Sequence, residues 1–307
     1  MTYLKPQIPD ELSAILADFT STIKLKDYFT DAAKYPSFKT YVNTHSNKKN
    51  VEDILENSLE QLSTADEILR ASKQYGVLIV LQGMDTAGKD GIISHVLSGL
   101  NPQGCTVASF KVPTDEEHTH NFLWRYSNNL PKRGEIVIFN RSHYEDVLVT
   151  KVHPECMEKL PENLTFQKNK DFWNERYEDI NNFEKHLARN GILIIKIFLH
   201  ISKDEQKSRL LARLSNEDKL WKISSSDFKE RKYWDNYTKA YEEMLSNTST
   251  QYAPWLIVPA NDKKIARAIV AHLIAGAINA LKIEYPPVSA ENIKFFQQAK
   301  KQLEIEK

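Results

Sequence analysis

The chain has few of the residues and patterns that mark secreted, membrane-spanning or metal-stapled proteins. It contains two cysteines, Cys105 and Cys156, in 307 residues, and neither stands in a metal-binding spacing. We therefore expect two reduced thiols and no disulfide framework. The longest apolar run, Val77–Leu81, is far too short to span a bilayer, and the first residues lack a signal-peptide pattern. These absences favour a cytoplasmic protein without a membrane partner.

An excess of charge of either sign is also absent. Lysine and arginine together number 41, aspartate and glutamate also number 41, and the formal net charge is zero. Because nucleic-acid binders usually carry a basic overall field, we expect no nucleic-acid partner. A polyanionic substrate would have to be met by cations that the fold gathers locally.

Short apolar runs that are rich in β-branched residues predict strands buried on both faces of a parallel sheet. They are Val77–Leu81, Thr106–Phe110, Ile136–Phe139, Ile192–Leu199 and Trp255–Val258. Amphipathic stretches of helical periodicity separate them, which predicts a three-layer α/β/α fold. We expect an N-terminal helical extension over 1–75, a main domain over 76–285 with a helical lid at about 203–235, and a C-terminal tail over 286–307.

The first of these runs leads directly into a glycine-rich segment, Gly83–Gly91, that fits the pattern G-x-x-x-x-G-K. A strand, such a loop and a following helix form the Walker A arrangement, in which backbone N–H groups and a helix N-terminus meet phosphate oxygens. Lys89 supplies a mobile charge that bridges phosphates. The remaining residues expected to bind phosphate in this loop are Gly83, Met84, Thr86, Ala87, Gly88 and Gly91.

Two carboxylates make this loop unusual. Asp90 stands where a Walker A motif has the serine or threonine that binds Mg²⁺, and Asp85 lies inside the loop itself. A carboxylate beside bound phosphates is repulsive unless a metal or a proton intervenes, so Asp85 is either a metal ligand or a base. Asn140 ends the third strand, where an acid would be usual, so metal binding would rely on Asp85, Asp90, Glu145 or Asp146.

Cations also follow the predicted strands. Arg141 comes directly after the third strand, at the edge where open α/β sheets bind ligands, and its planar fork suits a phosphate. Pairing with a structural acid is the alternative. Ser202 and Glu205 predict a helix start, and Arg209 and Arg213 then share one face of that helix. For the later lysines, among them Lys219 and Lys222, a solvated ion-paired surface is an equal alternative.

Several separate motifs resemble the family-2 polyphosphate kinases, over residues 50–285. They are Gly83–Gly91, Phe110–Thr114, Phe122–Arg125, Asn140–Asp146, Trp221–Ser224 and Ala253–Trp255. The resemblance implies a P-loop kinase fold and reversible phosphoryl transfer between inorganic polyphosphate and nucleotides, with Mg²⁺ or alternatively Mn²⁺. The nucleotides would carry adenine, with guanine as an alternative. Asn121 and Asn140, which replace aspartates of other members, resemble the subgroup that phosphorylates both AMP and ADP.

The resemblance also implies roles for individual residues. Asp85, Lys89 and Arg141 would be catalytic, and Asp85, Asp90 and Asp146 would hold the metal. Arg209 and Arg213 would belong to a lid over the polyphosphate. Beyond the loop, phosphate and nucleotide would be bound by Asp90, Lys111, Asn121, Arg125, Arg133, His143, Tyr144, Glu145, Arg209, Arg213, Lys219 and Lys222. Because an attacking nucleotide phosphate is already ionised, we favour metal ligation over base catalysis for Asp85.

Two other functions are compatible with a phosphate-binding loop. The nearer alternative is an ATP-dependent nucleoside or nucleotide kinase of the thymidylate kinase type. A GTPase-type switch is disfavoured, because Asn261–Lys264 does not match the guanine signature Asn-Lys-x-Asp. We also expect a homo-oligomer, either a dimer or a tetramer, for which the N-terminal helices could form an interface.

Overall fold

The computed structural model describes residues 3–38, 48–157, 160, 162–165, 169–222 and 224–306, without the side chains of 48–50, 162, 219 and 222. Within these residues one sheet of parallel strands is present, in the spatial order β2-β3-β1-β4-β5. Its strands are β1 (Gly76–Gly83), β2 (Cys105–Ser109), β3 (Ile136–Asn140), β4 (Ile192–His200) and β5 (Trp255–Pro259).

All the predicted strands are confirmed, with ends that differ by one or two residues. The unbroken apolar runs reflect burial on both faces, because β1 and β5 are buried at every position. The edge strand β2 differs: Val107 in its centre is 42% exposed. Both cysteines are free thiols, as expected.

Helices cover both faces of the sheet, which confirms the predicted three-layer architecture. On one face lie α1 (Lys48–Ser72), α2 (Lys89–Val96) and α9 (Lys263–Asn279), of which α9 packs against both α1 and α2. The other face carries α4 (Glu145–Val152), α5 (Phe172–Arg189) and α8 (Trp234–Thr248), which pack on one another. A short helix, α3 (Trp124–Ser127), lies between β2 and β3.

The N-terminal segment differs in part from the predicted helical extension. Its α-helix is α1, whereas residues 3–38 contain 3-10 turns at Asp10–Ile15, Leu25–Asp27, Ala32–Lys34 and Pro36–Phe38. Leu16 forms an antiparallel bridge with Leu256, and the Ala17 N–H donates to Trp255 O at 2.8 Å. The backbone of this segment therefore pairs with the otherwise open edge of β5, which explains why it is not α-helical.

Helices also form the predicted lid region and the tail. The lid region consists of α6 (Lys203–Leu214), a 3-10 segment (Glu217–Lys222), α7 (Ser225–Glu230) and a 3-10 turn (Arg231–Tyr233). Ser202 caps α6, since its hydroxyl accepts the Glu205 N–H at 3.1 Å. The tail forms α10 (Ala290–Ile305), which has no buried residue. In the described part of the chain, no helix has the length and apolar character needed to cross a bilayer.

Candidate active site

The candidate site is a cleft of about 640 Å³ at the carboxyl edge of the sheet. The strand β1 pairs with β3 on one side and with β4 on the other. The strands β2 and β3 therefore extend the sheet in one direction from β1, and β4 and β5 extend it in the other. Ligands of open α/β proteins bind at this kind of switch point. The side chains and loops that line the cleft include Asp85–Ile92, Ser109–Lys111, Asn140, Arg141, Arg209, Arg213, Lys263 and Arg267.

The glycines of the phosphate loop are required by its backbone. Gly83 has φ +154°, and a Cβ there would lie 2.8 Å from Leu199 O on the neighbouring strand. Gly88 has φ +112° and immediately precedes α2. Thr86 adopts φ +65°, a left-handed conformation that a residue with a Cβ keeps only when its surroundings enforce it. The loop therefore has one fixed shape, at the N-terminus of α2, where backbone N–H groups attract anions.

Lys89 lies at the base of this loop. Its ammonium donates to Gly83 O at 2.6 Å, so the side chain bends back over the loop that precedes it. Burial lowers the pKa of Lys89, while the nearby Asp85 carboxylate opposes that shift. A phosphate in the loop would supply the counter-charge that this partly desolvated ammonium favours.

Arg141 brings a second cation to the loop. Its backbone is left-handed, with φ +63°, and a guanidinium nitrogen lies 3.5 Å from Asp85 Oδ1. The Glu145 carboxylate raises the pKa of Arg141, as does Asp85, so the guanidinium is firmly charged. The predicted convergence of Asp85, Lys89 and Arg141 is thus present in the structure.

A buried glutamine, Gln82, joins the two loops, and no sequence motif indicates this role. Gln82 follows the apolar run of β1, and its position in the sequence predicts only a residue near the end of a strand. Its amide donates to Ser142 Oγ at 3.2 Å and to Glu145 Oε1 at 3.1 Å. Because Glu145 also faces Arg141, Gln82 links the phosphate loop to the position of that arginine.

The carboxylates differ in whether they reach the cleft. Asp85 and Asp90 line it, and Asp90 accepts a hydrogen bond from the Asn140 amide at 3.1 Å. Asp146 does not line it; its carboxylate accepts the Tyr126 hydroxyl at 3.0 Å. No three histidine, cysteine or acidic side chains converge among the residues described. Mg²⁺ commonly takes one or two carboxylates and completes its shell with water and substrate phosphates, which Asp85 and Asp90 fit.

A cationic wall forms the side of the cleft between α6 and α9. Arg213 of α6 and Lys263 and Arg267 of α9 line it. Partial desolvation and the neighbouring charge of Arg209 lower the pKa of Lys263, and Arg213 and Arg267 act in the same direction. A Cβ at Gly91 would lie 3.4 Å from the Arg267 guanidinium, so this arginine reaches the start of α2. Lys263 and Arg267 were not predicted; their only sequence signal is a position just after the last strand.

Arg209 lies on α6, in the lid region, and is among the residues that line the cleft. The residue is 5% exposed, and its guanidinium is surrounded by protein acceptors. Nε donates to Glu205 at 2.7 Å, Nη1 donates to the carbonyls of Thr86 and Ala87, and Nη2 donates to those of Ala260 and Asn261. Arg213, one turn further along α6, also lines the cleft.

Other predicted binding residues lie outside the cleft. Arg133 is exposed in the turn before β3, at the amino edge of the sheet, so the structure does not bring it to the site. Asn121 is exposed at the start of α3, where its side chain accepts the Leu123 N–H. Arg125 does not line the cleft; it donates to Lys111 O at 3.0 Å and pairs with Glu117. The side chains of Lys219 and Lys222 fall outside the described residues.

His143 and Tyr144 belong to a buried charged cluster behind Arg141. Both are fully buried, as are Glu184 and Lys196. The Lys196 ammonium lies 2.7 Å from Glu184 Oε2 and 2.8 Å from the Tyr144 hydroxyl, and the Tyr144 hydroxyl donates to Glu184 Oε1 at 2.6 Å. Burial lowers the pKa of His143, so a neutral ring lies against Glu184. These two residues pack behind the loop after β3 and do not line the cleft.

The fold and the loop define a P-loop phosphotransferase. The polyphosphate kinase 2 (PPK2) family model matches residues 45–286, and the chain belongs to this family. An ADP-polyphosphate phosphotransferase of Rhodopseudomonas palustris is 48% identical over 84% of this chain and 90% of its own. An AMP/ADP-polyphosphate phosphotransferase of Meiothermus ruber is 46% identical over 76% of this chain and 82% of its own. The crystal structure of Polyphosphate Kinase 2 from Arthrobacter aurescens TC1 aligns with TM-score 0.81 and 35% identity, over 96% of this chain and 99% of that one.

Proposed function

We propose that this chain transfers phosphoryl groups between inorganic polyphosphate and adenine nucleotides, making ADP from AMP and ATP from ADP, reversibly. The observation that carries the proposal is the cationic wall of Arg213, Lys263 and Arg267 beside the phosphate loop. The net charge of the chain is zero, so this local cluster is not a by-product of a basic protein. It gives a chain of linked anions a continuous path into the loop.

The same wall argues against ATP as the donor. Apart from its cations, this side of the cleft is lined by small residues such as Ala212 and Ala266, and the lid region adds Asp227. Among the described lining residues, the aromatic one is Phe110, on the opposite wall beside Lys111. A purine gains from an aromatic or apolar face, whereas a phosphate chain gains from repeated cations. The wall between α6 and α9 therefore suits polyphosphate, which leaves the opposite wall, beside Lys111, for the nucleotide.

In the proposed reaction, a terminal phosphate oxygen of the nucleotide attacks the terminal phosphorus of polyphosphate. The bond from that phosphorus to its bridging oxygen breaks, and a chain shorter by one phosphate leaves with the electron pair. No proton transfer is required, because the attacking oxygen is already ionised. The loop N–H groups, Lys89 and Arg141 would stabilise the charge on the transferring group. Mg²⁺, or Mn²⁺ in its place, would be held by Asp85 and Asp90 and would neutralise phosphate charge.

The choice between AMP and ADP rests on two asparagines. Asn140 contacts Asp90 across the cleft, so this position can influence the acceptor phosphate directly. Asn121 is not among the residues that line the cleft, and we propose that it acts through α3 and the Arg125 contact to Lys111. The relative from Meiothermus ruber is named for both nucleotides. We propose use of both, in the cytoplasm, by a homo-oligomer, with guanine nucleotides as alternative acceptors.

The test is a transfer assay with AMP and long-chain polyphosphate from which ATP is excluded, followed by the same assay with ADP. We expect ADP in the first and ATP in the second. Product from ATP and AMP but none from polyphosphate and AMP would support the thymidylate kinase alternative instead.

Neighbouring lysines provide a matched pair for the cationic wall. Lys263→Ala should raise the KM for polyphosphate roughly tenfold, because a charged hydrogen bond contributes about 1.5–3 kcal/mol. The effect should weaken as ionic strength rises. Lys264→Ala is the control, since Lys264 pairs with Glu52 on the surface at 2.9 Å. Equal effects of the two substitutions would mean that the wall does not bind the donor.

A further inference from the structure

Side chains on the inner face of α6 bind backbone carbonyl groups of the phosphate loop. Gln206 and Arg209, three residues apart on this face, are both buried, at 4% and 5% exposure. Burial leaves little of either side chain available for contact with substrate. The Gln206 amide donates to Asp85 O at 3.0 Å. Arg209 Nη1 donates to Thr86 O and to Ala87 O, each at 2.9 Å. Three consecutive loop carbonyls are therefore bound by one helix.

The guanidinium of Arg209 has no donor left for a phosphate. Arginine carries five N–H donors, and here each has an acceptor. Besides the two loop carbonyls, Glu205 Oε1 accepts at 2.7 Å, Ala260 O at 2.5 Å and Asn261 O at 3.0 Å. A bound phosphate would have to break one of these bonds to contact Arg209. The side chain instead joins α6, the phosphate loop and the end of β5.

Fixing these carbonyls also fixes the N–H groups that point into the cleft. The carbonyl of Asp85 shares a peptide plane with the Thr86 N–H, and the carbonyl of Ala87 shares one with the Gly88 N–H. Within the described residues, neither of these two N–H groups has an acceptor, whereas the Ala87 N–H closes a turn on Met84 O at 3.0 Å. The left-handed backbone of Thr86 also needs such outside support.

We propose that Gln206 and Arg209 are positioning residues that orient the phosphate-loop N–H groups, and that Arg213 alone of the two α6 arginines binds polyphosphate. This inference rests on the proposed transfer from polyphosphate. Arg231, which follows α7, donates to Gln206 Oε1 at 2.6 Å and to Lys203 O at 3.0 Å. That contact directs the amide nitrogen of Gln206 towards Asp85 and connects the lid region to the loop.

Kinetics of four variants separate a positioning role from phosphate binding. Arg209→Lys keeps the charge but loses two of the five donors and the planar fork, and it should lower kcat roughly 10–100-fold, because small misplacements of reacting groups have such effects. Its KM for polyphosphate should show the same salt dependence as the wild type. Arg213→Ala should raise that KM and reduce its salt dependence. Gln206→Ala should lower kcat less than Arg209→Lys, and Lys207→Ala, on the exposed face of α6, should change nothing.

Amide hydrogen exchange tests the proposal without any turnover. In Arg209→Lys, exchange at Ala87, whose N–H donates to Met84 O within the loop, should be about tenfold faster than in the wild type, with the strand cores unchanged. Near-normal kcat in Arg209→Lys, together with a salt-dependent rise in its KM for polyphosphate, would identify Arg209 as a phosphate ligand and overturn the proposal. Faster exchange throughout the protein would show that Arg209→Lys lowers the stability of the whole fold, and the positioning role would then be refuted. Inactivity of the wild type towards polyphosphate would instead refute the proposed function, and the exchange result would stand.

Discussion

Replacing Lys196 by methionine tests the charged cluster that anchors the loop carrying Arg141. Lys196 lies in the middle of β4 and is fully buried. Its ammonium donates to Glu184, to the Tyr144 hydroxyl and to Thr248 O, the last at 2.6 Å. Methionine has a similar length and no charge, so Lys196→Met leaves Glu184 buried with only the neutral donors Tyr144 and His143.

The expected magnitude follows from the loss of one partner of a buried ion pair. Removing one partner usually destabilises a protein by about 3–5 kcal/mol, because an uncompensated charge remains buried. For a chain of this size that corresponds to a fall in Tm of roughly 6–10 °C. The cluster holds His143 and Tyr144, so kcat should fall as well.

The loss should depend on pH with a defined sign. In the wild type, burial acts to raise the pKa of Glu184, but the Lys196 ammonium and the hydrogen bond from His143 hold it below its ordinary value. This stabilisation is present above the unfolded-state pKa and is lost in acid. In Lys196→Met the direction reverses, because burial then raises the pKa of Glu184 above its unfolded value. The penalty should therefore be small in acid and grow by about 1.4 kcal/mol per pH unit until the raised pKa is passed.

Thermal unfolding between pH 5 and pH 8 measures this effect. The matched control is Lys196→Met with Glu184→Leu, which removes both charges and should recover much of the stability. The reasoning is refuted if Lys196→Met unfolds at the wild-type temperature throughout this range. It is also refuted if the double variant is as unstable as the sum of the two single variants, since that would show no coupling.

Further substitutions test the site. Lys89→Ala should lower kcat by about 10²–10³-fold with an unchanged circular dichroism spectrum, because it removes a charge-stabilising donor; near-normal turnover would exclude the loop from catalysis. Gly83→Ala should destabilise the fold by roughly 1–3 kcal/mol in urea titrations, because its Cβ would lie 2.8 Å from Leu199 O; a wild-type midpoint would contradict that. Asn140→Asp places a second carboxylate beside Asp90 and should alter the Mg²⁺ concentration needed for half-maximal rate; an unchanged Mg²⁺ titration would remove Asp90 from the metal site.

The strands and the phosphate loop could be predicted because their signals are local. A strand buried on both faces needs an unbroken apolar run, and β1 shows one that ends in glycine. The loop after it needs glycine at Gly83 and Gly88, where positive φ leaves little choice of residue. Such requirements are set by neighbours along the chain, so the sequence alone expresses them.

The N-terminal segment was less predictable for a related reason. Leu16 and Ala17 pair with β5, some 240 residues further along the chain, as the bridge between Leu16 and Leu256 shows. A helical pattern among neighbouring residues contains no information about such a distant partner. The segment is therefore packed on the core as 3-10 turns and extended chain.

What the sequence by itself determined is the class of chemistry: a strand, a glycine-rich loop and Lys89, with Arg141 and two loop carboxylates close by. Tertiary structure alone decided which cations face the cleft. Arg209 and Arg213 look alike in the sequence and both line the cleft, yet the guanidinium of Arg209 binds the carbonyls of the phosphate loop. Lys263 and Arg267 joined the site only because α9 begins at the same edge of the sheet. Charge is read from the sequence, but the partner that satisfies it depends on which distant backbone the fold brings within hydrogen-bonding distance.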